Sequence, residues 1–124
     1  MPRAAQRSLR LDDQPPTLGG PVFIPSEILT EVSAVVATDR VPELLDRFQR
    51  LLNQAMPDGL MRTELLRGDD DIWRIQSLWR DRGALDAMRA GPEPPAAPQL
   101  FREVGAEPTL RVLSVKARGG TNLS

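Results

Sequence analysis

Ile72-Trp73-Arg74-Ile75-Gln76-Ser77-Leu78-Trp79, running directly into Arg80-Asp81-Arg82-Gly83-Ala84-Leu85, is the stretch that decides the fold. Its first half alternates, with Trp73, Ile75, Ser77 and Trp79 on one face and Arg74 and Gln76 on the other, which is the period of a strand. Its second half starts a short helix. There the Asp81 carboxylate can accept from the free N–H groups of a first turn, and Leu85 and Met88 recur on the inward side. Upstream, Leu60 to Arg67 also reads as a strand, and the Gly-Asp sequence between the two makes a β-hairpin the economical reading.

Outward from this hairpin, Val41, Leu44, Leu45, Phe48, Leu51, Leu52 and Ala55 recur at helical spacing, with charged residues on the remaining surface. Asp39 is the expected N-cap of this helix, Pro42 is tolerated in its first turn, and Pro57-Asp58-Gly59 ends it. Ser26 to Ala37 reads as a strand with Ile28, Thr30, Val32, Ala34 and Val36 on one face. Leu29, Glu31, Ser33 and Val35 fall on the other. Both faces are partly apolar, which predicts helices on one side of the sheet and a different covering, such as a second subunit, on the other. Downstream, Gly91 to Pro98 carries four prolines and reads as a loop placed where a pocket lid could form. Gln99 to Val104 reads as a helical turn or two presenting Leu100, Phe101 and Val104, and Thr109 to Ala117 as the last strand. The order strand, helix, strand, strand, short helices, strand predicts an α+β, ferredoxin-like fold: an antiparallel four-stranded sheet covered by helices on one face.

The 124 residues, 40% of them hydrophobic, suffice for one domain with a core. The expected division is a flexible tail at 1–25, rich in proline and glycine, a domain at 26–118 and a short tail at 119–124. Val22, Phe23 and Ile24 of the first tail are expected to pack on a neighbouring surface or a partner. Sixteen basic against seventeen acidic residues leave no positive field for a phosphate backbone, so no nucleic acid partner is expected. No apolar run approaches the roughly 20 residues that cross a bilayer, and Arg3, Arg7 and Arg10 are not followed by an apolar segment, so a cytoplasmic location without membrane contact is expected.

The chain has no Cys, His or Tyr. That removes thiolate chemistry, the Ser-His-Asp triad, an imidazole base and the usual zinc and haem ligands. Asp69, Asp70 and Asp71 are the cluster that suggests a carboxylate metal site, but in a Gly-containing turn they read as a solvated hairpin tip. No metal is expected.

The residues from Ile72 to Leu85 resemble the strand, tryptophan, acidic cap and Ala-Leu helix of antibiotic biosynthesis monooxygenase domains, and the similarity spans 26–118. The resemblance implies a dimeric α+β barrel, a homodimer in which two sheets pack face to face, with an apolar pocket in each subunit. It further implies oxidation of an aromatic polyketide or quinol-type small molecule without any cofactor. In the anthrone oxygenases of that family the pocket carries an asparagine and a tyrosine where this chain has Ile75 and Leu85. Trp79 matches their strand tryptophan, and Arg102, in Leu100-Phe101-Arg102-Glu103, matches their pocket arginine. The implied catalytic residues are thus Trp79, packing the substrate, and Arg102, holding its oxyanion. Phe48, Leu52, Met61, Trp73, Ile75, Leu85, Met88 and Phe101 are the candidate substrate-binding residues, several of them ordinary core by default. Trp79 equally suits a core position with its indole N–H on a carbonyl, and Arg102 a solvated helix face. The haem-degrading relatives use a histidine ligand and a helix tryptophan; this chain has no histidine, and Met88 stands near the tryptophan position.

Three functions follow as expectations. The first is a cofactor-free monooxygenase. The second is a polyketide cyclase or other non-redox enzyme in which Glu31 or Glu64 replaces the missing polar groups. The third is a non-catalytic small-molecule-binding or partner subunit.

Overall fold

Alternation of apolar and polar residues is realised as a four-stranded antiparallel sheet in the computed structural model, which describes residues 26–119. The expected tail at 1–25, with Val22, Phe23 and Ile24, lies outside the described residues, as do residues 120–124. Ser26–Val115 forms one compact unit. Its elements are β1 (Ile28–Val35), a 3-10 turn (Thr38–Arg40), α1 (Val41–Leu52), β2 (Leu60–Arg67), β3 (Ile72–Trp79), α2 (Arg82–Arg89), α3 (Ala96–Glu103) and β4 (Thr109–Ser114). The strand order β2-β3-β1-β4 is the ferredoxin-like arrangement expected from the sequence.

Register determines which residues share a face. Val32 pairs with Ile75 and with Leu110, Thr30 with Ser77 and with Val112, and Ile28 with Trp79. On β2, Thr63 lies opposite Ser77 and Leu65 opposite Ile75. This face carries the helices, and Ile28, Thr30, Val32 and Ala34 of β1 are all buried beneath them. A bulge between Leu60 and Arg62 shifts the register at the start of β2, and Met61 there is exposed.

The helices differ from the expectation in their ends and in the width of their apolar stripes. Asp39 does not cap α1. It lies within the 3-10 turn, the N-cap position falls to Arg40, and no side chain caps the helix. Arg40 instead reaches Glu43 at 2.8 Å and the carbonyl of Glu103 at 3.0 Å, while Arg47 bonds Glu43 and Glu103, so these side chains tie α1 to α3. Leu44 and Phe48 are buried, but Leu45 and Leu52 flank the stripe and stay exposed. The helix stops at Leu52 rather than Ala55, because the N–H groups of Asn53 and Gln54 turn to the carbonyls of Arg50 and Leu51 in i to i−3 bonds. Asp81 caps α2 as expected, accepting from the Ala84 N–H at 2.8 Å. Helix α3 begins at Ala96, three residues earlier than read, because Pro98 falls in its first turn, where a missing N–H costs nothing. Strand β1 is likewise shorter than Ser26 to Ala37, and β4 ends at Ser114 rather than Ala117.

The core divides into two clusters. One joins Val32, Ala34, Leu44, Phe48, Trp73, Ile75, Leu100 and Phe101; the other joins Ile28, Trp79, Ala84 and Leu85, with Leu60, Met88 and Val112 packed against it. Gly59 makes the tight turn into β2: its φ is +86°, and a Cβ there would lie 2.4 Å from that of Ala84, so only glycine lets β2 pass this close to α2. A gap lies between the two clusters.

Candidate functional site

A cavity of about 380 Å3 opens between the clusters, bounded by Val32, Leu51 and Ile75 on one side and by Leu60, Trp79, Leu85 and Met88 on the other. The segment that follows α1, from Gln54 to Pro57, and the proline-rich segment from Gly91 into the first turn of α3 at Pro98 complete its walls. Pro92, Pro94, Pro95 and Pro98 carry no N–H, so this wall has few backbone donors.

The floor is the helix-facing side of the sheet, and one row of it is polar. Thr63 of β2, Ser77 of β3 and Thr30 of β1 are cross-strand neighbours, and all three line the cavity. The Thr63 and Ser77 hydroxyls lie 2.9 Å apart. Thr30 Oγ1 accepts from the indole Nε1–H of Trp79 at 3.1 Å and donates to the carbonyl of Ser77 at 3.4 Å. Trp79 is 4% exposed, so its N–H requires this partner. The acceptor is a side-chain hydroxyl rather than the backbone carbonyl expected for a core tryptophan.

Of the candidate residues, Trp79, Ile75, Leu85 and Met88 come together around the cavity. Phe48, Trp73 and Phe101 belong to the first core cluster and do not line it; Trp73 packs under the Arg67 guanidinium, 5.7 Å from its ring centre. Leu52 and Met61 are exposed, Leu52 at the end of its helix and Met61 at the bulge. Arg102 is exposed on α3 and borders no part of the cavity, because the inward positions of that helix are filled by Leu100 and Phe101. The ionisable residues that line the cavity are Arg89 and Glu93, neither of which stands on the floor.

Glu31 and Glu64 lie on the opposite face of the sheet. Glu31 is held there by Gln76 at 3.1 Å, Arg111 at 3.6 Å and Arg74 at 4.0 Å. The hairpin aspartates are engaged locally: Asp70 accepts from Ile72 N–H and from Arg74, and Asp71 from Arg67. The Arg74 hydrogen bond, followed by that from the Ile72 N–H, holds the Asp70 carboxyl below its ordinary value. Glu43 is lowered chiefly by its hydrogen bond from Arg47 and then by Arg40. Both carboxylates belong to surface ion pairs far from the cavity chemistry. Among the described residues no group of three or more acidic side chains is placed to hold a metal ion, and no helix is long and apolar enough to cross a membrane.

Alternation puts Thr30 and Ser77 on inward strand faces, but none of Thr30, Thr63 and Ser77 is among the candidate residues that the sequence offers. The available signal was a hydroxyl residue recurring on an otherwise apolar face in neighbouring strands.

The fold and the cavity together define an α+β domain of the architecture built by antibiotic biosynthesis monooxygenases. No family model and no curated protein matches the sequence, so the likeness is one of structure. A proposed antibiotic biosynthesis monooxygenase of Caulobacter crescentus superposes with a TM-score of 0.60 at 16% identity, over 77% of this chain and 94% of that one. SnoaB of Streptomyces nogalater, a cofactor-independent oxygenase, superposes with a TM-score of 0.54 at 17% identity, over 75% and 96%. The haem degrader MhuD of Mycobacterium tuberculosis gives 0.58 at 22% identity, over 75% and 99%. At these identities the shared property is the fold.

Proposed function

We propose that this chain is a cofactor-independent monooxygenase that takes an aromatic polyketide or quinol-type molecule into the cavity beside Trp79. The cavity is the observation that carries the reading. Its volume of about 380 Å3 falls in the roughly 300–1,000 Å3 range of small-molecule sites. It is also more than twice the roughly 150 Å3 that accommodates a benzene ring, so a fused-ring aromatic fits. The fold shared with a cofactor-independent oxygenase supports the choice of reaction.

In such a reaction the substrate supplies the electrons. Loss of a proton from an activated ring CH2 leaves a carbanion that reduces O2. Conversion of the CH2 to C=O places one oxygen atom in the product and releases the other as water. The chain contributes binding, orientation by the flat Trp79 ring and exclusion of bulk water. Arg102 has no part in this scheme, being outside the cavity.

Oxygen consumption by metal-stripped protein with anthrone and a dihydroquinone tests the proposal. Uptake above the protein-free rate, reduced in Trp79→Phe, is the expected result; no uptake from compounds that calorimetry shows to be bound would sink it. A binding role without turnover is the second reading, favoured by a floor whose polar groups are all neutral hydroxyls. The cyclase reading loses its acid and base, because Glu31 and Glu64 stand on the far side of the sheet.

The helix-free face of the sheet is assigned in the same proposal to a second copy of the chain. Val35 is 71% exposed on it, and Leu66 and Leu113 share that face. These apolar side chains flank the Glu31–Arg111 row, and a second copy would take them from water; the mass of the protein by light scattering checks the assignment.

A further inference from the structure

We infer that the Thr63–Ser77 hydroxyl pair is the polar anchor of the cavity, and that its ligand is an uncharged aromatic carrying a phenolic hydroxyl or a ring carbonyl. This rests on the cavity being the ligand site and goes on to name the group that the site recognises.

A hydroxyl has one O–H to give and lone pairs to accept with. The Thr30 proton is directed to the Ser77 carbonyl, and its oxygen already accepts from Trp79, so neither the Thr30 donor nor the Trp79 donor is available to a ligand. In the Thr63–Ser77 pair, whichever hydroxyl donates, its partner keeps an O–H with no recipient assigned. Ser77 is 7% exposed, so a proton left over there has little water to bond. Both side chains line the cavity, and the ligand is the natural acceptor.

Charge sets the other half of the specificity. At the floor a carboxylate or phosphate would lose its hydration among hydroxyls with no cation beside it, Arg89 of the cavity lining standing at the end of α2 and not on the floor, whereas a neutral oxygen loses far less. A phenol can both accept from the pair and donate to its lone pairs, and a ring ketone can accept.

Calorimetric titration of the full chain with naphthalene, naphthol and naphthoate tests this. Naphthol is expected to bind about three- to tenfold tighter than naphthalene, and naphthoate more weakly than naphthol. The double variant Thr63→Val with Ser77→Ala removes both hydroxyls at nearly constant shape. It is expected to abolish the preference for naphthol while keeping the affinity for naphthalene, which serves as the control that the cavity is intact. Equal affinity of the wild type for naphthol and naphthalene overturns the inference even if the variants fail to fold, and leaves the cavity as a ligand site. A preference that persists in the double variant overturns it too. If none of the three compounds binds, both the anchor and the cavity reading fall.

Discussion

At Trp79 and Thr30 a hydrogen bond joins the indole of β3 to a hydroxyl of β1 along the cavity. Thr30→Val leaves a buried indole N–H without an acceptor, and denaturant unfolding is expected to show a loss of about 1–3 kcal/mol. Thr30→Ser keeps the oxygen and is expected to cost less, a contrast that loss of packing alone would not produce. Arg102→Ala is expected to leave oxygen uptake unaltered, since the side chain lies outside the cavity on an exposed helix face. A large fall in uptake would return Arg102 to the site.

Among the elements, Gly59 governs how closely β2 approaches α2. Gly59→Ala is expected to destabilise the fold by about 1–3 kcal/mol through its positive φ, with the clash against Ala84 adding to that. The measured quantity is the unfolding free energy, and an unchanged value would refute the close approach. The ties between elements carry a pH dependence. Glu43 and Asp70 have carboxyl pKa values below their ordinary 4.5 and 3.8 because arginines bond them in the folded state. Groups lowered on folding stabilise fully above the unfolded-state value, and that contribution is lost as pH falls through the folded-state value. The melting temperature should therefore fall on acidification below about pH 4.5, and Glu43→Gln with Asp70→Asn should flatten that acid limb. Circular dichroism melts across that range decide it.

For the whole molecule, the helix-free face of the sheet mixes exposed Val35, Leu66 and Leu113 with the Glu31, Arg74 and Arg111 cluster. If a second copy covers it, Val35→Asp is expected to lower the mass measured by light scattering to that of a single chain, since the new charge would be buried without a partner. A wild-type protein that is already monomeric would contradict the assignment. The cavity faces the other way, so a monomeric variant keeps its floor residues, and comparing its ligand affinity with that of the wild type separates the two surfaces.

Much of the fold was legible because periodicity depends on local chain geometry. Trp73, Ile75, Ser77 and Trp79 had to share a face once Ile72–Trp79 was a strand, and Asp81 was a cap whatever packed above it. The lack of His, Cys and Tyr likewise excluded whole chemistries before any contact was known. Helix ends were less legible. Asp39 has the chemistry of a cap, but the chain makes a 3-10 turn there, and Leu45 and Leu52 satisfy a helical spacing without reaching the core. The site depended on tertiary structure for a different reason. Thr63, Ser77 and Thr30 become neighbours only when three strands are aligned in register, and periodicity carries no information about register between strands. Placing Arg102 outside the cavity, and Glu31 on the far face, required knowing how α3 and the sheet are packed. Sequence by itself determined the order of elements, their faces and the chemistry that is absent; only the packing of two separate apolar clusters decided that a cavity lies between them, because an empty space belongs to no residue.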